Sequence, residues 1–365
     1  MNNVLICKTG FQPLRYNKMI ITYFRSSSYN THNMCPQQYF FEYVLGWRGQ
    51  SGLKADKGTI VHKVLEILAF IKQGLQDNLD FVIDDIMGDV STTEYDLDNI
   101  IDVVYQYYSS HNSHHNWKPR DHKDCKDWVY KAISFNDGMF DPRNRHILQP
   151  EQHFDFEIDK KWADYSYNTT EGKLSGKLAL KGTVDLITLV NKDTIEIIDW
   201  KTGRRLDWAT GKEKTQEKLE TDPQLRIYHY AIKHLYPHIK HVIFSIYFIN
   251  DGGPFSICFE DSDLIHTEDI LRKKFEQIKH TRKPVLNKSW MCSKLCHFGK
   301  NSFEHTHIEP IEEYRDGQRT NAGYNMSMCE QVKHELDLYG IDTVTNIYKH
   351  PNHKFGKYQA PGSTE

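Results

Sequence analysis

Residues 182–203 read GTVDLITLVNKDTIEIIDWKTG and constrain the fold more sharply than anything else in the chain. Two runs rich in aliphatic and β-branched residues flank Asn191, Lys192 and Asp193. That is the pattern of two adjacent strands joined by a tight turn. Each run carries a carboxylate among apolar neighbours. Asp185 sits with Val184, Leu186 and Ile187, and Asp199 follows Ile197 and Ile198. Side chains two apart on a strand share a face, so Asp199 and Lys201 point together and Trp200 points away. If the runs pair as a hairpin, Asp185 joins them. A charge placed among aliphatic side chains is costly unless it has a partner. Two carboxylates beside a lysine form a site that holds a hard divalent metal next to a water or a phosphate. The plain alternative is a salt bridge on a half-exposed sheet, and the apolar neighbours argue against it.

On this reading Asp185 and Asp199 bind Mg²⁺ or Mn²⁺ through oxygen. Lys201 orients the attacking water, helps deprotonate it, or neutralises the phosphate. Metal-dependent phosphodiester hydrolysis is the leading expectation. Glu151, in QPEQHFDFEI, stands at the start of a further strand and is a candidate third carboxylate. Glu157 competes with it, six residues along and of the same strand parity.

Bulk properties set the outer limits. A chain of 365 residues has ample length for a core. A mean hydropathy of −0.66 and the lack of a long apolar run exclude a membrane helix. The first eighteen residues have no apolar signal core, so secretion is not expected and a cytoplasmic setting is. A net charge of −3 means that a nucleic acid would have to be met by a local basic groove and not by a global field. Seven irregularly spaced cysteines in such a chain read as reduced thiols or metal ligands.

Along the chain, Tyr39, Tyr43 and Trp47 recur at helical spacing, and residues 56–74 carry Ile60, Val64, Ile67, Leu68 and Ile71 on one helical side. Residues 78–146 are polar and read as a helical insertion. From residue 150 the period shifts toward two, giving strands at HFDFEI, LALKGTVDLITLV and TIEIIDW with turns at 172–176 and 191–193. Residues 204–220 read as a charged connector. A helix over 222–236 is capped by Asp222, opened by Pro223 and stopped by Pro237. HVIFSIYFIN is a fourth strand, and DSDLIHTEDILRKKFEQIKHTR is a final amphipathic helix. After Pro284 the periodicity weakens. Helix, three successive strands, helix and strand make an α/β fold with a mixed central sheet, not a doubly wound one.

Three weaker signals complete the set. His62 and Glu66 share a helical face, and Gln224 and Tyr228 are one turn apart on the capped helix. Ordinary packing explains either pair taken alone. His111, His114 and His115 read as a solvated polar cluster. The stretch from Gly172 to Lys177 is one residue short of a phosphate loop and has Leu178 where Ser or Thr is required, so no ATPase motor is expected.

Taken in order, these pieces resemble the RecB-like branch of the PD-(D/E)XK nuclease superfamily over about residues 22–300. Cys35-Pro36-Gln37-Gln38-Tyr39-Phe40 matches C-P-x-x-Y/F, and Gly58 to His62 matches G-x-x-x-H. Gly182 to Asp185 matches G-x-x-D, Asp199 to Gly203 matches D-x-K-T-G, and Gln224 to Tyr228 matches Q-x-x-x-Y. The resemblance implies a restriction-endonuclease-like core, a mixed central sheet flanked by helices, with a helical insertion at about 78–146. It implies a nuclease domain over 1–290 and a Cys/His-containing C-terminal extension over 291–365 that could pack on the nuclease domain. It also implies a Mg²⁺- or Mn²⁺-dependent DNA nuclease in which His62 is a metal ligand and Gln224 and Tyr228 bind or position DNA.

The cysteines depart from the family pattern. Some members of the branch, AddB-type subunits and CRISPR-adaptation exonucleases among them, hold a [4Fe–4S] cluster with one cysteine before the core and three after it, spaced roughly C-x2-C-x5-C. Here Cys35 takes the early position, but three residues separate Cys292 from Cys296, and Ser302 stands where the next cysteine is expected. Cys329 could complete the set. Cys292, Cys296, His305 and His307 would instead suit tetrahedral zinc, and a degenerate, merely packed site is the third reading. Cys7, Cys125 and Cys258 read as structural.

For DNA, the expected backbone contacts are Lys54, Lys57 and Lys63 around His62, and Arg204, Arg205, Lys212, Lys214 and Lys218 after the catalytic strand. Tyr39, Phe40, Trp208, Tyr228 and Tyr230 are the candidates for stacking on unpaired bases. The expectation is an exonuclease on single strands or DNA ends, in recombination, repair or replication in a bacterial or phage-infected cell, with a helicase or recombination protein as the partner class. The rivals are a catalytically weak DNA-binding scaffold and a structure-specific endonuclease.

Overall fold

The structure is a computed structural model that describes residues 18–169, 172–206, 212–301, 314–315, 318–319 and 327–353. Its six-stranded main sheet contains β1 (Tyr23–Phe24), β2 (Ile147–Glu157), β3 (Ala179–Asn191), β4 (Thr194–Lys201), β5 (His241–Phe248) and β6 (Gly253–Glu260). β3 pairs antiparallel with β2 along one edge, and its other edge meets β1 in parallel and then β4 antiparallel. β4 runs parallel to β5, and β5 antiparallel to β6. The sheet is therefore mixed, as the uninterrupted run of strands requires.

The longer helices are α1 (Leu53–Gln76), α2 (Leu97–His111), α3 (Pro119–Ser134), α4 (Pro223–Leu235), α5 (Asp263–Lys279) and α6 (Met328–Tyr348). They cover both faces of the sheet, because β4 is apolar on both. Ile195 and Ile197 enter one core with Leu225 and Ile227 of α4 and Leu271 and Phe275 of α5. Ile198 and Trp200 enter a second core with Ile60 and Val64 of α1, Ile101 of α2 and Val129 of α3. Asp222 caps α4 as expected, its side chain accepting the Gln224 N–H at 2.9 Å.

Several elements differ from the reading of the sequence. Gly172–Lys177 is a strand paired with Asp164–Thr169, not a turn. The 78–146 insertion opens with a hairpin, Phe81–Asp84 against Gly88–Ser91, before its helices. β6 was not anticipated, although Phe255, Ile257 and Phe259 alternate. Nor was α6, which buries Met328, Val332, Leu336 and Val344. Inside α6, Gly340 adopts φ 78°. That left-handed geometry breaks the helix, and glycine reaches it without strain.

Candidate active site

The β3–β4 ladder ends at Leu186 opposite Ile198. One step further along that register Asp185 faces Asp199. There the strands part, and the Asp185 Oδ2 accepts the otherwise unpaired Trp200 N–H at 3.2 Å. On the other side of β3, Pro150 pairs with Leu186 and Gln152 with Val184. Glu151 therefore falls beside Asp185. Its φ of +43° takes it out of regular strand geometry, a conformation costly for a side-chain-bearing residue and frequent at functional sites. Three neighbouring strands thus bring one carboxylate each to the same row. Glu157, by contrast, pairs with Ala179 at the far end of β2, about 20 Å away at the rise of a strand.

Helices reach this row from both sides. From α1, His62 Nδ1 lies 3.1 Å from Asp185 Oδ2. Gly58, one turn earlier, makes that approach possible: a Cβ there would stand 2.7 Å from Thr202 Oγ1, just beyond β4. From α4, the Gln224 amide donates to Asp199 Oδ1 at 3.2 Å and to the Tyr228 hydroxyl at 3.1 Å. Tyr228 in turn donates to the Thr183 carbonyl at 2.8 Å. Lys201 Nζ lies 2.7 Å from Asp199 Oδ2. Ala55, Gly58, Thr59, His62, Lys201 and Thr202 line a cleft of about 370 Å³, which borders the row through His62 and Lys201.

The electrostatics are those of an under-neutralised cluster. Burial pushes the Glu151 carboxyl up to about 8, helped by Asp185 and Glu66. Burial also raises Asp199, against the pull of Lys201. At Asp185 burial acts in the same direction, but the charge and hydrogen bond of His62, with Lys201 and the Trp200 N–H, outweigh it and hold the group below its ordinary value. Burial would discharge Lys201 and His62, yet the neighbouring aspartates hold both above their ordinary values. Lys201 therefore stands as an ammonium. Oxygen donors crowded with excess negative charge fit a hard divalent cation such as Mg²⁺ or Mn²⁺.

The remaining predicted residues divide. Gln224 and Tyr228 are turned inward, holding Asp199 and the β3 backbone. Lys57 is buried against Asp121 and Asp124 at 3.2 and 2.5 Å. Lys63 is buried against Glu66, Asp84 and Asp85. Neither is free to track a phosphate backbone. Arg205 pairs with Glu213 at 2.9 Å and lies over the Phe255 ring, and Lys214 pairs with Asp222. Lys54 and Arg204 are exposed. Tyr39, Phe40 and Tyr228 are core residues, and Tyr230 stacks on Phe156. Trp208, His305, His307 and Cys7 lie outside the described residues. Thr183 went unnoticed in the sequence, because it contributes only a carbonyl, and Thr202 entered only as a letter of D-x-K-T-G, because its part is a packing contact against Gly58.

The late cysteines return to the early one. Cys35 opens a short helix, Cys292 and Cys296 lie in and beside another, and Cys329 sits in the first turn of α6. Burial pushes the Cys329 and Cys296 thiols up, and nearby Cys35 and Cys292 add to it in both. The Gln37 amide donates to the Cys329 carbonyl. Cys125 is buried, as expected of a structural residue, but Cys258 is exposed.

Residues 26–298 match the PD-(D/E)XK nuclease superfamily, and the chain belongs to that superfamily. A solved structure named "Putative exonuclease", from Eubacterium rectale, is 10% identical and covers 80% of this chain and 91% of its own, with a TM-score of 0.42. Rai1 from Scheffersomyces stipitis is 8% identical, with coverages of 73% and 78% and a TM-score of 0.19. Rai1 from Candida albicans, in complex with pU5-Mn2+, is 10% identical, with coverages of 88% and 76% and a TM-score of 0.17. At these scores the structural likenesses add nothing to the family match. No curated protein matches the chain. No helix among the described residues is long and apolar enough to cross a membrane.

Proposed function

We propose that this chain is a metal-dependent deoxyribonuclease of the RecB-like branch, acting as an exonuclease on single-stranded DNA or DNA ends. The observation that carries the reading is the row of Glu151, Asp185 and Asp199, with Lys201 and His62 against it. Glu151, Asp185, Asp199 and His62 would hold Mg²⁺ or Mn²⁺. That ion would acidify a bound water and stabilise charge on the phosphoryl oxygens. Lys201, kept cationic by the aspartates, neutralises the phosphate and orients the water. It takes no proton while it is an ammonium. Gln224 and Tyr228 fix the Asp199 carboxylate, so they act as positioning residues. Lys54, Arg204, Lys212 and Lys218, all exposed, would meet the DNA backbone, and a small number of such contacts gives a shallow salt dependence. A cytoplasmic role in recombination, repair or replication, with a helicase partner, follows the habits of the branch.

We further propose that Cys35, Cys292, Cys296 and Cys329 hold an iron–sulfur cluster. A tetrahedral zinc draws its sulfurs to about 3.8 Å from one another, given Zn–S bonds near 2.3 Å. Among the described residues no three of these sulfurs lie within 4.8 Å of one another, so the compact zinc arrangement is not preformed; the iron–sulfur reading rests on the resemblance and on the four cysteines lying near one another. Anaerobically purified protein should show a broad absorbance near ~400 nm; bound zinc without that band would refute the assignment.

The deciding experiment is cleavage of end-labelled single- and double-stranded DNA with Mg²⁺ or Mn²⁺, with EDTA and Lys201→Ala as controls. Removing a group that stabilises developing charge costs about 10²–10³ in rate, so Lys201→Ala should lose at least that much. Stepwise products from one end identify an exonuclease. DNA binding without cleavage by the wild type would sink the catalytic reading in favour of a scaffold.

A further inference from the structure

A second set of metal-type donors gathers at the start of the helix that carries His62. Asp56 is in the first turn of α1 and is 6% exposed. It precedes His62 by six residues, about 9 Å along the axis. The segment after α2 folds back over it and brings His114 and His115. One ligand atom from each of the three residues lies within 4.8 Å of the other two. His115 Nε2 is 2.7 Å from Asp56 Oδ2, and the Ser51 hydroxyl donates to that same oxygen at 2.9 Å. His114 Nε2 is 3.3 Å from the Ser51 carbonyl. The two imidazoles are 3.9 Å apart, and Trp117 packs edge-on to His115.

A histidine–aspartate hydrogen bond accounts for His115 alone. The Ser51 carbonyl is a partner for His114 at 3.3 Å, but neither hydrogen bond calls for two imidazoles brought together over one buried carboxylate. Two imidazoles this close repel when both are protonated. Both are satisfied when each offers a neutral nitrogen to one cation. Two imidazole nitrogens and a carboxylate oxygen are the donors of zinc and its neighbours, not of Mg²⁺, which prefers oxygen throughout.

We propose that Asp56, His114 and His115 bind a divalent transition metal of the zinc class, with water in the fourth position. The metal pins the segment between α2 and α3 to the start of α1, and so stiffens the cleft wall formed by Ala55, Gly58 and Thr59. Binding takes the lone pair of each imidazole, and any proton shared between His115 and Asp56 leaves to solvent. The proposal uses none of the carboxylates of the main site and stands whether or not the chain cleaves DNA.

The test is zinc uptake by metal-stripped full-length protein, measured by equilibrium dialysis and elemental analysis with excess Mg²⁺ present. His114→Gln and His115→Gln are compared with wild type. Losing even an outer-shell partner of a metal costs about 10–100-fold in affinity, so each variant should bind one zinc at least tenfold more weakly. In the wild type, zinc should slow amide exchange in residues 51–59 and 112–118. His114 is exposed, so His114→Gln should fold even if His115→Gln does not. Zinc uptake by folded His114→Gln equal to that of wild type, or no zinc-dependent protection in those segments, would overturn the site.

Discussion

Glu151 illustrates how a single residue can be costly to the fold and still be kept. It is half-buried, backbone-strained and set beside Asp185. Its carboxyl, raised from 4.5 to about 8, favours the neutral form in the metal-free protein. The sign follows from linkage: the folded state holds this proton more tightly than the unfolded state. The associated stability is fully present below pH 4.5 and is lost as pH rises through about 8. Glu151→Gln mimics the neutral form at every pH. In EDTA, urea titrations should show the variant gaining on wild type between pH 5 and pH 9, by about 2–4 kcal/mol. An unchanged difference across that range would mean that the carboxyl is not strained by its neighbours. With Mg²⁺ or Mn²⁺ present the order should reverse, because the amide is a poorer ligand. At this scale the site was largely legible, since strand parity alone puts Asp199 and Lys201 together and away from Trp200. The basic residues were not. Lys57 and Lys63 look like surface cations until Asp121, Asp124, Asp84 and Asp85 arrive from distant segments.

At the scale of elements, the site depends on how closely α1 lies against the end of β4. Gly58 sets that distance. Gly58→Ala improves helix propensity by about 0.5–1 kcal/mol, but its methyl meets Thr202 Oγ1. We expect a stability change under about 1 kcal/mol, since the threonine side chain can rotate or α1 can shift by a few tenths of an ångström. Activity should suffer more, because His62 rides on the same helix one turn on and a misplacement of about 1 Å can cost 10²-fold. Thr202→Ala in the same background should restore most of the loss, a coupling read by a double-mutant cycle. A variant with full activity and no coupling would show that the glycine only packs. The elements legible in the sequence were those with long period and clear caps, such as α1 and α4. β6 was missed because its eight residues begin at Gly253 and Pro254 and expose alternate positions, so the pattern is faint beside the stronger helix that follows. Residues 172–176 read as a turn because their glycines mask a strand that pairs only with its own hairpin partner.

Across the whole molecule, the described residues of the 291–365 extension pack into the same core as residues 19–45. Phe298 stacks on Phe41 at 4.4 Å. The Trp47 indole donates to the Tyr348 carbonyl at 2.5 Å, and the His350 N–H donates to the Leu45 carbonyl at 2.7 Å. Composition hid this, because polar residues outnumber the apolar ones that α6 places at one side and Gly340 divides the stripe. Met328, Val332, Leu336, Ile341, Val344 and Tyr348 are each no more than 5% exposed. Burying one such side chain contributes about 1.5–3 kcal/mol, so together they rival the entire 5–15 kcal/mol by which a domain is usually stable. Removal of residues 327–365 should therefore leave no cooperatively folded protein, seen as a lost thermal transition and as aggregation on expression. The same cut removes Cys329, so Cys329→Ser separates the two effects: it should keep the fold while losing any cluster absorbance. If the truncated chain melts at the wild-type temperature, the extension adds nothing to the stability of the 1–290 domain and folds apart from it.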